Sequence, residues 1–590
     1  MTILQSLAKA YDRLAATGEA PPFGYSSQQI SFLIVLDEAG QVVGAPIDLR
    51  AATGRKRVPR SLYVPQPAKR TVAILPNYLW DKTAYALGVT AGDGKRTAQE
   101  HAAFVEYHRE TLAGADDPGL VALLRFLDGW TPEQFAERGW PEEMKDQNLV
   151  FSLGHDYRSN FFLHDRAAAR ALWARLSSPE GATEARCLVS GERAPIARLH
   201  PSIKGVWGAQ SAGASIVSFN ADAFTSYGHE QGDNAPVSEA ATAAYTSVLN
   251  KFLARDSRNR IQIGDASTVF WADCEEANRA VEAEMFFALV MGGEEPKHDE
   301  AVEEKDRIRP MLEALREGCS ITARPELAAG IRFHVLGLAP NAARLSVRYW
   351  FDDDFGAIAA RLAQHTEAMR IEPPPRTFPT PLWMGLKELA PQGKTENVPP
   401  NLAGEWLRAI LAGTPYPLTL QATLLMRVRA DKSVDALRAA ILKAGLITRG
   451  KKVPVSFDPD NKNRGYLLGR LFAVYEQVQS AALGGINATI RDKFYGAASA
   501  TPRKVFPVLD RGSANHLGKL RRDKPGYAVV LEKQIGAIMA VFDPAGDPFP
   551  TALNADEQSL FAVGYYHQKN VFFRKKDEDS SEAATETGSH

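Results

Sequence analysis

The chain opens with Ile3, Leu4, Leu7, Ala10, Tyr11 and Leu14 at three- and four-residue spacing, which predicts a helix over 1–17. QISFLIVLDEAGQVVGAPIDL (29–49) reads as two strands about a turn at Asp37–Gly40. TVAILPNYLWDKTAYALG (71–88) reads as an apolar strand, a Pro76-Asn77 turn and a helix. The pattern is mainly helical over 98–180. Short strands broken by Gly and Ser follow over 186–235, and Pro236-Val-Ser-Glu239 opens a helix over 236–254. Residues 292–307 are acidic and polar, an exposed loop, and 331–353 holds two strand-like stretches around Ala339–Asn341. Helical periodicity then runs from PPNLAGEWLRAIL to about 576, with breaks near 449–465 and 496–502. The pattern predicts an α+β protein. A mixed α/β portion covers 1–400, an all-helical bundle covers 401–576, and a disordered tail without apolar anchors covers 577–590.

Composition changes this picture little. The 590 residues are 45% hydrophobic and 24% charged, ordinary for a globular protein of several domains. A net charge of −1 excludes a histone-like polycation, so any nucleic-acid binding must come from local segregation of charge. Cys187, Cys274 and Cys319 form no metal-binding spacing, and so few thiols fit a reducing compartment. MTILQSLAKAYDRLA lacks the features of a signal peptide, and no run approaches the roughly 18 apolar residues of a membrane span. The expectation is a cytoplasmic, soluble protein with no membrane contact.

Candidate catalytic motifs fail on inspection. GVTAGDGKRT (88–97) has Val89 where a phosphate loop needs its first glycine, and Arg96 where magnesium needs a hydroxyl. His229-Glu230 has no second histidine at helical spacing. Lys462 would repel an ion held by Asp458 and Asp460. Asp352, Asp353 and Asp354 are adjacent and point in different directions, which fits an acidic turn better than a two-metal centre. His155/Asp156 and His164/Asp165 read as structural pairs. The expectation is no catalytic residue, no metal and no cofactor.

Two basic segments stand out. Arg50, Arg55, Lys56, Arg57, Arg60, Lys69 and Arg70 fall within 50–70 with no Asp or Glu, among three prolines and Tyr63, and read as an exposed loop or ribbon. Residues 461–535 carry 13 Lys+Arg against 5 Asp+Glu at helical spacing. Lys493, Arg503, Lys504, Lys519, Arg521, Arg522 and Lys524 are the candidate strand contacts there. For both segments the plain alternative is a solvated face. Between them, 196–238 is dense in Gly, Ser, Asn and Gln, with Lys204 and Gln210 as candidate contacts. The alternative is a tightly turned β region with Phe219 and Phe224 in its core.

PNYLWDKTAYALG (76–88), CLVSGERAPIARLHPSIKGVWGAQSAGASIVSFNADAFTSYGHEQGDNAPVS (187–238), IGDASTVFWAD (263–273) and NRGYLLGRLFAVYEQVQSAALGGINATIRDKFYGAASATP (463–502) resemble the large subunit of the type I-C CRISPR Cascade complex. HLGKLRRDKPG and FAVGYYHQKNVFF extend the likeness over nearly the whole chain.

The resemblance implies a non-catalytic subunit. It would read a short protospacer-adjacent motif, help open the duplex, hold the displaced strand and offer a surface to a helicase–nuclease, while guide pairing supplies sequence specificity, as in other RNA-guided effectors. It implies as partners the crRNA-bearing backbone subunits, the crRNA-processing subunit and a small subunit, which the C-terminal portion resembles. Within it, Asn77 is the expected base contact, with Arg55, Lys56, Arg57, Lys69 and Arg70 as phosphate anchors and Lys82 on the following helix a further candidate contact; Asn77 as a cap of the following helix is the alternative. A metal-dependent nuclease built on Asp352–Asp354, or a nucleic-acid-binding protein outside CRISPR, are the rival classes.

Overall fold

The computed structural model describes residues 2–53, 56–68, 70, 73–177, 183–219, 221–274, 276–292, 313, 330–485 and 488–573. The predicted acidic loop from 293 onward, the tail 577–590 and Cys319 lie outside them. The fold is α+β, with a mixed N-terminal part and an all-helical C-terminal part.

The chain forms two compact units, 1–202 with 217–249, and 203–216 with 250–590. The division differs from a break near 400, because the apolar core of the sheet over 260–354 is continuous with that of the helices after 400.

In the first unit, the helix Ile3–Ala16 starts at a capping box, Thr2 with Gln5. FLIVL forms β2 (Phe32–Leu36), buried on both faces. It follows β1 (Tyr25–Ile30), and a sheet of order β3-β2-β8-β7 surrounds it, with β3 at Ile47–Asp48, β7 at Trp80–Lys82 and β8 at Asn148–Leu153. β8 runs parallel to β2, a pairing that accounts for their unbroken apolar runs. It corrects the helical reading of 98–180, which holds for the helices Thr97–Thr111, Pro118–Gly129 and Ala167–Leu176. The basic segment forms a hairpin of β4 (Ala51–Thr53) and β5 (Lys56–Val58), then β6 (Arg60–Pro65) antiparallel to β1.

Farther on, β9 (Glu184–Arg186) and β10 (Arg193–Pro195) make a short hairpin. The sulfur of Cys187, 1% exposed, accepts N–H groups from Val189 (3.4 Å), Ser190 (3.4 Å) and Ser238 (3.2 Å). Burial raises the thiol's pKa, but donors from Ser190 and Ser238 outweigh it and bring the group down to about 7.

The second unit holds an antiparallel meander, β11 (Arg260–Ile263), β12 (Ala266–Asp273), β13 (Arg332–Asn341) and β14 (Arg344–Asp354). Phe270, Phe333, Val335 and Tyr349 belong to the core formed with Phe286, Phe287, Ile358 and Leu362 of the helices Ala277–Gly292 and Phe355–Met369. Trp271, His334 and Trp350, at alternate positions, form an aromatic row on the opposite face; the His334 and Trp350 rings are 5.4 Å apart and nearly parallel.

The helices Arg464–Leu483 and Ala555–Val571 lie backbone to backbone. A Cβ on Gly465, Gly469 or Gly564 would come within 2.0–2.3 Å of a carbonyl oxygen of the other helix, so only glycine fits there. No helix among the described residues is long and apolar enough to cross a membrane.

Candidate nucleic-acid interface

The 50–82 segment spends most of its described cations internally. Arg50 is nearly buried, paired with Asp48 at 2.9 Å and Glu143 at 3.0 Å, and stacked over Phe32. Arg57 reaches the same Asp48 but stays exposed. Arg60 donates to Asn160 Oδ1 at 2.8 Å. Arg70 donates to both oxygens of Asp81 and to the carbonyl of Leu75, and lies 3.9 Å from the centre of the Tyr85 ring. In this arrangement the guanidinium braces the loop from within.

Asp81 is the hub of that loop. Only 1% exposed, it also accepts the backbone N–H groups of Asn77 (2.9 Å) and Lys82 (2.8 Å). Burial pushes its carboxyl up from the usual range, and Arg70 and the two amides pull against that.

Asn77 faces inward, 5% exposed, and its Oδ1 accepts the Ala68 N–H at 3.1 Å. It caps no helix, since the helix Thr83–Ala86 begins later with Lys82 at its cap. The described residues 73–75, just before the Pro76-Asn77 turn, form no strand. A base contact by Asn77 would require the Ala68 bond to open. The side chain of Lys82 is exposed, with no partner among the described residues. Arg55 and Lys69 lie outside the described residues, as does the side chain of Lys56.

The C-terminal segment is arranged differently. The helix Pro502–Asp523 buries Val505, Phe506, Leu509, Leu517 and Leu520 and turns its cations outward. Lys504, Lys519 and Arg522 are exposed with no ion-pair partner among the described residues, as are Lys524 at the next helix's cap and Lys493 on the helix Ile490–Ala500. Arg503 pairs with Asp547 and Arg521 with Glu532. Lys504, Val508, Arg511, Asn515, Lys519 and Arg522 follow four- and three-residue steps and so share one face of the helix.

The acidic triplet is divided among separate tasks. Asp352 meets Arg332 at 2.5 Å, Asp353 meets Arg361 at 2.7 Å, and Asp354 caps the helix Phe355–Met369 through Ala357 N–H at 3.2 Å. Among the described residues, no group of three His, Cys, Asp or Glu side chains is placed to hold a metal ion.

A family model described as CRISPR-associated protein (Cas_Csd1) matches residues 7–573. The chain belongs to this family. It is a CRISPR-associated protein, and the match reaches into both compact units. A comparison with curated proteins gives no match.

Sequence reasoning missed the exposed aromatics of this CRISPR-associated chain. Lys204 and Gln210 are exposed on a loop of the second unit, and between them Trp207 is 66% exposed. In the first unit, Tyr227 is 99% exposed at the tip of a turn closed by His229 N–H to Ser226 O at 2.8 Å. Phe224 is exposed rather than in a core, and Phe219 is half-buried. Flanking glycines, Gly205, Gly208 and Gly228, were the available signal: an aromatic between residues that cannot shelter it has little else to pack on.

Proposed function

We propose that the chain is the non-catalytic large subunit of a type I-C Cascade. In that role it recognises the protospacer-adjacent motif, supports R-loop formation, holds the displaced DNA strand and presents a surface to the helicase–nuclease. Its partners are then the crRNA-bearing backbone subunits, the crRNA-processing subunit, the small subunit and the target duplex, in the cytoplasm and without a cofactor. The observation that carries the reading is the family match over nearly the whole chain. The unpaired cations along 502–524 support it physically.

Lys504 and Arg522 stand about 27 Å apart at 1.5 Å per helical residue, a span that follows several nucleotides. Cations without carboxylate partners give up no ion pair when they take phosphates, and they release counterions from the strand. In the 50–82 segment, Asn77 and Arg70 hold the loop, while Arg57, Arg60 and Lys82 are the described groups exposed to a duplex.

The deciding experiment compares target binding by the purified chain with binding by the chain assembled on guide RNA and partner subunits. Motif-dependent strand opening only in the assembly is the expected result. Equal, guide-independent binding would place the chain outside CRISPR surveillance. Metal-dependent cleavage lost on substitution of Asp352–Asp354 would make it a nuclease.

A further inference from the structure

Within the second unit, the loop 203–216 borders a cavity of about 1050 Å³, just above the roughly 300–1,000 Å³ typical of small-ligand sites. The loop is held firmly. Ile203 and Ala214 exchange N–H···O bonds of 2.8 and 2.9 Å, and Lys204 N–H donates to Asn250 Oδ1 at 2.7 Å. Trp207 N–H donates to Ser267 Oγ at 2.9 Å, anchoring that residue to the sheet. Gly205, at φ +84°, presses on the carbonyl of Leu253 so closely that a Cβ would come within 2.4 Å of the oxygen. The backbone is thus fixed while the Trp207 ring is left in solvent.

Two arginines line the same cavity. Arg260 is half-buried and gives one N–H to the Leu253 carbonyl at 3.0 Å. Burial, then the charge of nearby Arg255, lowers its pKa from the ordinary arginine value. Neither arginine has a carboxylate partner among the described residues. Of the lining carboxylates, Asp265 is neutralised by Arg348 at 2.6 Å and Glu396 is exposed. Two guanidinium groups lining one cavity, neither paired with a carboxylate among the described residues, favour an anion, and a solvent-facing indole favours a flat π-system. A nucleotide of an unpaired strand carries both.

We propose that this cavity is a nucleotide pocket, in which Trp207 stacks one unpaired base and Arg255 with Arg260 holds the adjoining phosphate. The proposal rests on the reading that the chain handles nucleic acid strands, and it adds a place where one base is gripped.

The test uses the full chain and a short oligodeoxythymidine carrying 5-iododeoxyuridine. Ultraviolet crosslinks should map to the peptide holding Trp207. Trp207→Ala should weaken oligonucleotide binding about tenfold or more, with an unchanged salt slope and melting temperature, because a stacking contact is lost from an exposed site. Trp207→Phe should recover most of the affinity. Arg255→Gln with Arg260→Gln should flatten the salt slope by about one unit. If wild type binds but Trp207→Ala binds equally well, or crosslinks map elsewhere, the pocket is wrong and the proposed function stands. If wild type binds no strand, alone or in the guide complex, both fall.

Discussion

In 50–82, guanidinium groups turn to Asp48, Glu143, Asp81 and Asn160; along 502–524, Lys504, Lys519, Arg522 and Lys524 turn to water. Charge counts along the chain make the two segments look alike. The difference lies in what surrounds them. The N-terminal segment carries no acid of its own between Arg50 and Arg70, so acids just outside it, Asp48 and Asp81, fold back onto it. The C-terminal segment sits on an amphipathic helix whose apolar stripe fixes which side faces out. A local run without acids is therefore a weaker sign of a binding surface than a basic stripe opposite a buried one.

Breaking the hub gives the largest expected effect. Asp81→Ala removes the acceptor shared by Arg70 and the Asn77 and Lys82 N–H groups, and should cost about 3–5 kcal/mol in denaturant unfolding. A near-neutral result would mean that Arg70 is as free as the C-terminal cations.

Next comes the outward face. Reversal of Lys504, Lys519, Arg522 and Lys524 to Glu should leave the melting temperature close to wild type. It should also lower the salt slope of single-strand binding by about 0.7 per lost phosphate contact. A large drop in melting temperature with binding intact would erase the contrast.

Asn77→Ala comes third. It leaves the Ala68 N–H without its acceptor and should cost about 1 kcal/mol of stability. Target binding across a library of flanking motifs should keep its preference. A changed preference would put Asn77 at a base after all.

The smallest effect belongs to Arg57, an exposed cation of the N-terminal segment whose partner is Asp48. Arg57→Gln should shift stability by less than about 1 kcal/mol. On duplex DNA it should lower the salt slope by about 0.9, the signature of one phosphate.

Much of the fold is legible in the sequence. The first helix and the C-terminal helices follow their hydrophobic periods, the β13–β14 pair shows as two strand-like stretches around Ala339–Asn341, and the outward cations of 502–524 follow from the helical period. β8 escapes because LVFSL, buried on both faces, shows no alternation and lies between helices. The Asp81 hub escapes because Arg70, Asn77 and Lys82 meet it through loop geometry that has no period. Trp207 escapes because exposure is a property of the folded surface, and an isolated tryptophan reads first as core.

The close crossing of the helices at Gly465, Gly469 and Gly564 bears on how the protein is made. The 464–483 helix leaves the ribosome about 70 residues before the start of the helix that covers its glycine face, at the order of 5–20 residues per second of synthesis. For those seconds Tyr466, Phe472 and their neighbours lack the residues 555–571 they are buried against. The bundle core is a late-closing one, finished by the helix over 555–571, so a stall or truncation before residue 555 leaves an adhesive apolar surface rather than a shortened protein.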